Sequence, residues 1–366
     1  MNYILKVTDG CNMRCKYCCV GDKSDFHIIS EEQLYKNICF CVENSRAGNE
    51  DKVDIIFHGG EPTIVPCEFY EQAISRINEK YPDITFCWRM QSNGYHINDK
   101  FINLFSEYGF RIGVSIDGSA DIHNQTRTDI NGKPTYDTIF NNILKMKSEN
   151  IPASALMVVG ANVTDDFSFL DKFAEHHIPI KINPLINCGE AENNSEILLE
   201  SGQYAEYLIK VYEYIMSNEL DIPFQPVESL SQKIFSHSPY GECTFSGNCF
   251  CNFIAIDYKG EIYPCGRFCD NKAFSGGNIN VDNISLPFEN KMYKPEIRPE
   301  CSACKFQKIC NGGCPYMVWI DGSHRNPLCN DYKKFFRYLM TDGLVFIENK
   351  LKEKREELYN ENYGCH

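Results

Sequence analysis

What this 366-residue sequence lacks narrows it first. No apolar run approaches the roughly 18 residues of a membrane span, so no membrane is expected as a partner. Met1-Asn-Tyr leads directly into a strand-like segment, and no signal peptide is read there. Positive charge is also short: 36 Lys and Arg stand against 50 Asp and Glu, a net charge of −14. That balance makes a nucleic-acid backbone a poor partner. It suits a protein handling neutral or basic substrates better.

Cysteine is abundant instead, with 20 residues. In a short secreted chain this would indicate disulfides. Here the chain is long and the cysteines cluster at metal-ligand spacings, which predicts iron–sulfur ligation in a reducing cytoplasm. With 43% hydrophobic and 13% aromatic residues, the chain can bury a substantial core.

Through about residue 190 the pattern alternates strand and helix. Strands are predicted at Tyr3–Thr8, Val53–His58, Thr85–Gln91, Phe110–Asp117, Ala153–Val159 and Ile180–Ile186. Helices are predicted at Glu31–Arg46, Glu68–Lys80, Asp99–Tyr108, Tyr136–Glu149 and Asp165–His176, with Ser30 and Thr164 as N-caps. Such repeats call for parallel strands with right-handed crossovers. The count fits a partial, open (β/α)6 TIM-like barrel; periodicity also allows an open doubly wound sheet. Ser201–Asn218 reads as a further helix, and Pro223, Pro226 and Pro239 punctuate a bridging stretch. Between Cys243 and Cys329, Gly, Cys, Asn and Pro dominate, and metal must substitute for a large core. The predicted domains are 1–200, a bridge at 201–240, a cysteine-rich domain at 241–331 and a helical end at 332–366. The charged run 348–358 reads as a solvated face.

The most informative motif is Cys11-x3-Cys15-x2-Cys18, directly after the first strand. Three thiolates on one loop hold three irons of a cubane [4Fe–4S] cluster and leave the fourth iron open to a ligand. Three more strand ends carry polar, Gly-rich clusters: His58-Gly59-Gly60-Glu61-Pro62, Gln91-Ser-Asn93-Gly94 and Ser115-Ile-Asp117-Gly118. In a parallel barrel the C-terminal strand ends form the working face, and glycine there lets backbone approach a ligand.

Over residues 1–190 this combination resembles the radical S-adenosylmethionine (SAM) superfamily. The resemblance implies that the open iron chelates SAM and that one electron from the cluster releases a 5′-deoxyadenosyl radical. Carried over by position, Gly59, Gly60 and Glu61 would meet the SAM amino group. Asn93, Ser115 and Arg127 would be further SAM contacts, Arg127 being suited to a carboxylate. An external one-electron donor such as flavodoxin or ferredoxin is implied as a partner.

Cys301-x2-Cys304-x5-Cys310-x3-Cys314, followed by Cys329 and preceded by Cys243, Cys249 and Cys265, resembles the SPASM domain of many such enzymes. That resemblance implies two auxiliary [4Fe–4S] clusters, three in all. Cys243, Cys249, Cys265 and Cys314 would hold one; Cys301, Cys304, Cys310 and Cys329 would hold the other. Cys251 competes with Cys249. Of the remaining cysteines most read as apolar fillers, while Cys19 and Cys269 adjoin cluster loops and stay open to a redox or substrate role.

SPASM-bearing enzymes mostly modify peptides or protein side chains. The array is similar to anaerobic sulfatase maturases, with three departures. Those enzymes carry Asp where Gly266 stands, Gln where His58 stands and Tyr where Val20 stands. Without an acidic base at 266, formylglycine formation is disfavoured. The expectation is therefore a maturase of a ribosomally made precursor peptide, forming a thioether or carbon–carbon cross-link. Sulfatase maturation, peptide epimerisation and a non-enzymatic iron–sulfur protein are the alternatives. His58 is the candidate base or substrate contact, and Asp117 a candidate ligand for substrate or the SAM ribose. With the motif at residue 11, leader recognition is expected on the barrel and SPASM surfaces or from a separate protein.

Overall fold

The computed structural model describes all residues except 22–24, 236–241, 248, 282–283, 285–298, 323–324 and 346–366. Along the chain run β1 (Asn2–Thr8), β2 (Met13–Cys15), α1 (Glu31–Ala47), β3 (Lys52–Gly59), α2 (Cys67–Lys80), β4 (Thr85–Ser92) and α3 (Asp99–Glu107). Next come β5 (Arg111–Ser115), α4 (Ala120–Thr126), β6 (Arg127–Asp129), α5 (Tyr136–Ser148), β7 (Ala153–Val159), α6 (Phe169–Glu175), β8 (Ile180–Pro184) and α7 (Gln203–Ser217). The rest comprises β9 (Phe224–Gln225), α8 (Val227–Phe235), α9 (Cys249–Asn252), β10 (Phe253–Ile256), β11 (Ile262–Tyr263), α10 (Pro299–Ser302), α11 (Gln307–Cys310), α12 (Pro315–Asp321) and α13 (Cys329–Met340). The fold is α/β with a mostly parallel sheet, and all six expected strand–helix units are present in chain order.

Two compact units result: Met1–Met157 with Ile186–Ser195 and Asn248–Glu296, and Val158–Leu185 with Glu196–Gly247 and Ile297–His366. In the first, the strand order is β11-β10-β1-β3-β4-β5-β7. Every pairing but the β10–β11 hairpin is parallel. One sheet face is apolar: Tyr3, Leu5, Val7, Val53, Ile55, Phe57, Trp88 and Met90 are buried, as are Ile38 of α1, Tyr70 and Ile74 of α2 and Phe105 of α3. Phe57 joins the layers, 4.9 Å edge-on to Tyr70 and 5.9 Å stacked on Trp88. The alternate residues, Lys6, Asp54, His58, Arg89, Gln91 and Ser115, share the opposite face. Parallel sheets normally bury apolar residues on both faces, so this polar face marks where a ligand is handled.

In the second unit β8 pairs parallel with β9. The N-cap of α7 is Gly202, which has no side chain to offer. Asp331 of α13 supplies it, accepting from the Gly202 and Ala205 amides at 3.0 and 3.1 Å.

Three expectations change. Phe253–Ile256, inside the stretch expected to be irregular, is β10, and it extends the sheet along β1. The bridging stretch is not plain linker, since it forms β9 and α8, while Pro239 lies outside the described residues. Finally, α6 starts at Phe169 rather than Asp165, and Thr164 is not its cap. Asp166 instead accepts from the Ser168 amide at 3.0 Å, a local turn that competes with helix initiation. The charged run 348–358 lies outside the described residues. Among those described, no helix is long and apolar enough to cross a membrane.

Candidate active site

The cysteine loop leaves the C-terminal end of β1 and is held from three sides. β2 pairs antiparallel with β6, which sets Cys15 opposite Arg127. The turn after β3 docks on the start of the loop, with the Gly60 amide donating to Thr8 O at 2.9 Å and the Glu61 amide to Gly10 O at 2.8 Å. A Cβ at position 60 would lie 2.0 Å from Gly10 O, so only glycine fits. The third support is the segment Ile186–Ser195. Glu190 donates its amide to Cys18 O at 3.0 Å, and Asn194 Nδ2 donates to Lys16 O at 3.1 Å. Gly189, at φ +59°, approaches so closely that a Cβ there would stand 2.4 Å from Cys18 O.

Burial pushes the Cys11 thiol up to about 12 and the Cys15 thiol to about 11, and raises Cys18 as well. Glu61, Cys15 and Cys18 raise Cys11 further, and Cys18 raises Cys15, which Arg127 pulls back. Three neighbouring thiols that resist ionisation are stable as thiolates only around added positive charge, which is what a cluster's irons bring. Among the described residues no three His, Cys, Asp or Glu groups converge on a single-ion site. Asn93 Nδ2 donates to Asn12 Oδ1 at 2.8 Å and to Cys11 Sγ at 3.6 Å, a hydrogen bond of the kind that tunes a cluster sulfur.

Glu61 is buried and its carboxylate accepts four hydrogen bonds. It accepts from the Thr63 amide and hydroxyl at 2.9 and 2.7 Å, from Ser92 Oγ at 2.8 Å and from the Asn93 amide at 2.6 Å. Oε1 takes three of these donors and Oε2 only the Asn93 amide, which leaves Oε2 room for one more. The side chain thus locks the ends of β3 and β4 together, beside the main chain of Gly59–Glu61.

Arg127 is buried, and its Nε has no hydrogen-bond partner among the described residues. A buried orphan donor costs free energy until an acceptor arrives, and a ligand carboxylate matches it. Arg127 Nη1 donates to Tyr17 Oη at 2.8 Å, and Tyr17 Oη donates to Asp117. Ser115 Oγ accepts from Gln91 Nε2 at 3.2 Å on the polar sheet face. Tyr17, His123 and Thr135 escaped sequence reasoning; the available signal was the run Asp117-x5-His123-x3-Arg127.

His58 lies opposite Lys6 in the β1–β3 register. Burial, then the Lys6 charge, push the imidazole down to about 4, so it is neutral. Its Nδ1 accepts from the Gly59 amide at 2.7 Å. The proton therefore sits on Nε2, and His58 presents a donor there, not a base. Burial opposes the Lys6 charge, while the Asp270 carboxylate favours it, and the net shift is upward. Lys6 Nζ lies 3.3 Å from Asp270. Burial keeps Cys269 a thiol, hydrogen-bonded to Cys265 O at 3.8 Å, which argues for a packing role. Cys19 is exposed.

In the second unit, Cys310 is raised to about 11 by burial and by Cys329, Cys301 and Cys304, so these four thiols share one neighbourhood. Beside them, buried Asn326 accepts from the Cys329 and Leu328 amides, while its Nδ2 has no partner among the described residues. Of the other expected set, Cys243 and Cys314 belong to the second unit and Cys249 and Cys265 to the first. Cys249 is half-buried and Cys251 exposed.

Comparison with known proteins places the first half of the chain in a known superfamily. The model of the radical SAM superfamily matches residues 5–174. A cysteine-type anaerobic sulfatase-maturating enzyme of Clostridium novyi is 26% identical, over 91% of this chain and 93% of its own. The serine-type enzyme of Klebsiella aerogenes is 23% identical, over 89% and 82%. A solved structure of native anSMEcpe with bound AdoMet and the Kp18Cys peptide superposes with a TM-score of 0.81 at 24% identity, over 95% and 99% of the two chains. The radical SAM domain implies a [4Fe–4S] cluster and SAM as its cofactors. Residues 5–174 form a radical SAM domain, and the chain is a radical SAM enzyme related along nearly its whole length to the anaerobic sulfatase-maturating enzymes.

Proposed function

We propose that this chain is a maturase that oxidises a side chain of a peptide or protein substrate. The observation that carries this reading is the extent of the likeness. Enzymes named for sulfatase maturation, and a structure holding a cysteine peptide, match at least 89% of this chain, cysteine-rich region included. When bound, the cluster and SAM supply a 5′-deoxyadenosyl radical able to take a hydrogen atom from the substrate.

In this reading Cys11, Cys15 and Cys18 hold that cluster. The main chain of Gly59–Glu61 receives the SAM amino group, with the Glu61 side chain bracing it. Arg127 Nε meets the SAM carboxylate, and Ser115 and Asn93 border the site. Cys301, Cys304, Cys310 and Cys329 hold one auxiliary cluster. An auxiliary cluster held there would offer a path for the second electron of a net two-electron oxidation. A small reductant such as flavodoxin or ferredoxin primes the first cluster, and a separate protein or the enzyme's own surface holds the substrate's flanking residues.

The relatives favour a Cys or Ser target and an aldehyde product. A second reading, a carbon–carbon cross-link, is favoured by Gly266 and by the His58 tautomer, since neither takes a proton from a thiol or hydroxyl and a carbon–carbon bond needs no such transfer. His58 then serves as a hydrogen-bond donor to substrate, and Asp117 orients Tyr17. Hydrazide trapping separates the two outcomes after anaerobic incubation with a cysteine-containing peptide. An aldehyde is captured and a cross-link is not. An unmodified peptide alongside active SAM cleavage would rule out both.

A further inference from the structure

Five groups around the cysteine loop close a ring of hydrogen bonds in which every hydrogen points the same way round. The Asp117 amide donates to His123 Nδ1 at 3.1 Å. His123 Nε2 pairs with Thr135 Oγ1 at 3.0 Å, and Thr135 Oγ1 donates to Arg127 O at 2.9 Å. Arg127 Nη1 donates to Tyr17 Oη at 2.8 Å, and Tyr17 Oη returns the ring to the Asp117 carboxylate. An amide can only donate, so His123 Nδ1 must accept and Nε2 must carry the proton. The Arg127 carbonyl can only accept, which fixes the Thr135 hydroxyl. No link can reverse.

Every member lies in the first unit. His123 is fully buried, Thr135 and Asp117 are each 1% exposed, and Arg127 is 5% exposed. Burial drives the His123 imidazole down to about 2, so the neutral form the ring needs is the only one present. A second anchor holds the Thr135 end, where Asn124 Oδ1 accepts from the Thr135 and Tyr136 amides at 3.0 and 3.2 Å. The ring thus joins the cysteine loop through Tyr17, the end of β5 through Asp117, α4 through His123, and the start of β6 through Arg127.

We propose that His123 and Thr135 are positioning residues for SAM: through this ring they fix the Arg127 guanidinium and the Tyr17–Asp117 pair against the cysteine loop. The proposal rests on the reading that Arg127 meets the SAM carboxylate. Neither His123 nor Thr135 touches the ligand. They act by holding the main chain at Asp117 and Arg127, so the orphan Arg127 Nε stays aimed at one place. Preorganised donors bind better than mobile ones because less freedom is lost on binding.

The test uses the full chain with its clusters reconstituted. SAM is titrated against the reduced protein and read from the change in the cluster's electron paramagnetic resonance spectrum, with iron content measured in parallel. Thr135→Val, nearly isosteric, and His123→Leu should each weaken SAM about tenfold at unchanged iron content. The double variant should be no weaker than either single one, because both break the same ring. His123→Gln, which keeps a donor and an acceptor, should recover most of the affinity. Unchanged affinity in Thr135→Val, or additive losses in the double variant, would overturn the proposal. Arg127→Met separates the two levels. If it weakens SAM while the His123 and Thr135 variants do not, only the ring's role falls; if it has no effect, the Arg127 reading falls and the positioning claim with it.

Discussion

The cysteine loop after β1 and the stretch from Cys243 to Cys329 offer the same ligand atom on opposite kinds of support. Around Cys11, Cys15 and Cys18 the backbone is held before any metal arrives. A strand pairing, a glycine turn braced by Glu61, and the amides of Ile186–Ser195 all reach the loop. Around Cys301, Cys304 and Cys310 the helices are four residues long, and the loops turn through Asn311, Gly312 and Gly313, all at positive φ. On the proposed reading, the first site is a preorganised socket for a cluster with an open iron. The second is a segment whose order depends on what its thiols bind. A reactive centre needs fixed geometry around its open position, whereas an electron relay needs only to be held.

This contrast is sharpest under loss of a ligand. Cys15→Ala should abolish SAM cleavage while circular dichroism and auxiliary iron stay unchanged, because the loop's supports are protein. If the first unit unfolds instead, the socket is not preorganised. Chelating the iron should have the next largest effect, and an unequal one. Amide exchange should rise sharply at 299–321 and little in β1, β3 and β4; a uniform rise would erase the distinction between the regions. Glu61→Gln tests the socket from within. It turns an acceptor of four hydrogen bonds into an amide facing some of those donors with its own, and should cost about 3 kcal/mol in denaturant unfolding, along with weaker SAM binding.

Per pH unit, the smallest effect is on acid stability. His123 sits at about 2 in the folded protein against an ordinary 6.5, so between those values the unfolded chain binds a proton that the native one does not. Stability should rise with pH across that window and fall on acidification, His123 contributing at most about 1.4 kcal/mol per pH unit. His123→Gln should show a shallower slope in parallel urea titrations. An identical slope would mean that His123 is not held neutral.

Most of the fold was legible because the sheet's period is plain. Val53–His58 and Thr85–Gln91 alternate between a helix-facing apolar set and a polar set, and Ser30 caps α1 as read, accepting from the Gln33 amide. β10 was hidden because Phe253–Ile256 is short and lies among cysteines and glycines, so a four-residue apolar run had no periodicity to announce it. At the site, the cysteine spacings and Gly-rich strand ends were visible as local patterns. The bracing of Glu61 was not, since its donors, Thr63, Ser92 and Asn93, follow β3 and end β4. The tautomer of His58 depends on one backbone amide, and the ring through Tyr17, Asp117, His123, Arg127 and Thr135 spans more than a hundred residues, 110 between Tyr17 and Arg127. Spacing shows which residues are present; only tertiary structure shows which of their atoms are already spent.

The central claim is that the radical formed at this socket takes its hydrogen from a peptide side chain. A cysteine-containing peptide deuterated at the cysteine Cβ, incubated anaerobically with reduced, reconstituted protein and SAM, tests it directly. Deuterium should appear in the 5′-deoxyadenosine, in step with oxidation of the peptide. Deuterium-free 5′-deoxyadenosine beside an unchanged peptide would contradict the account.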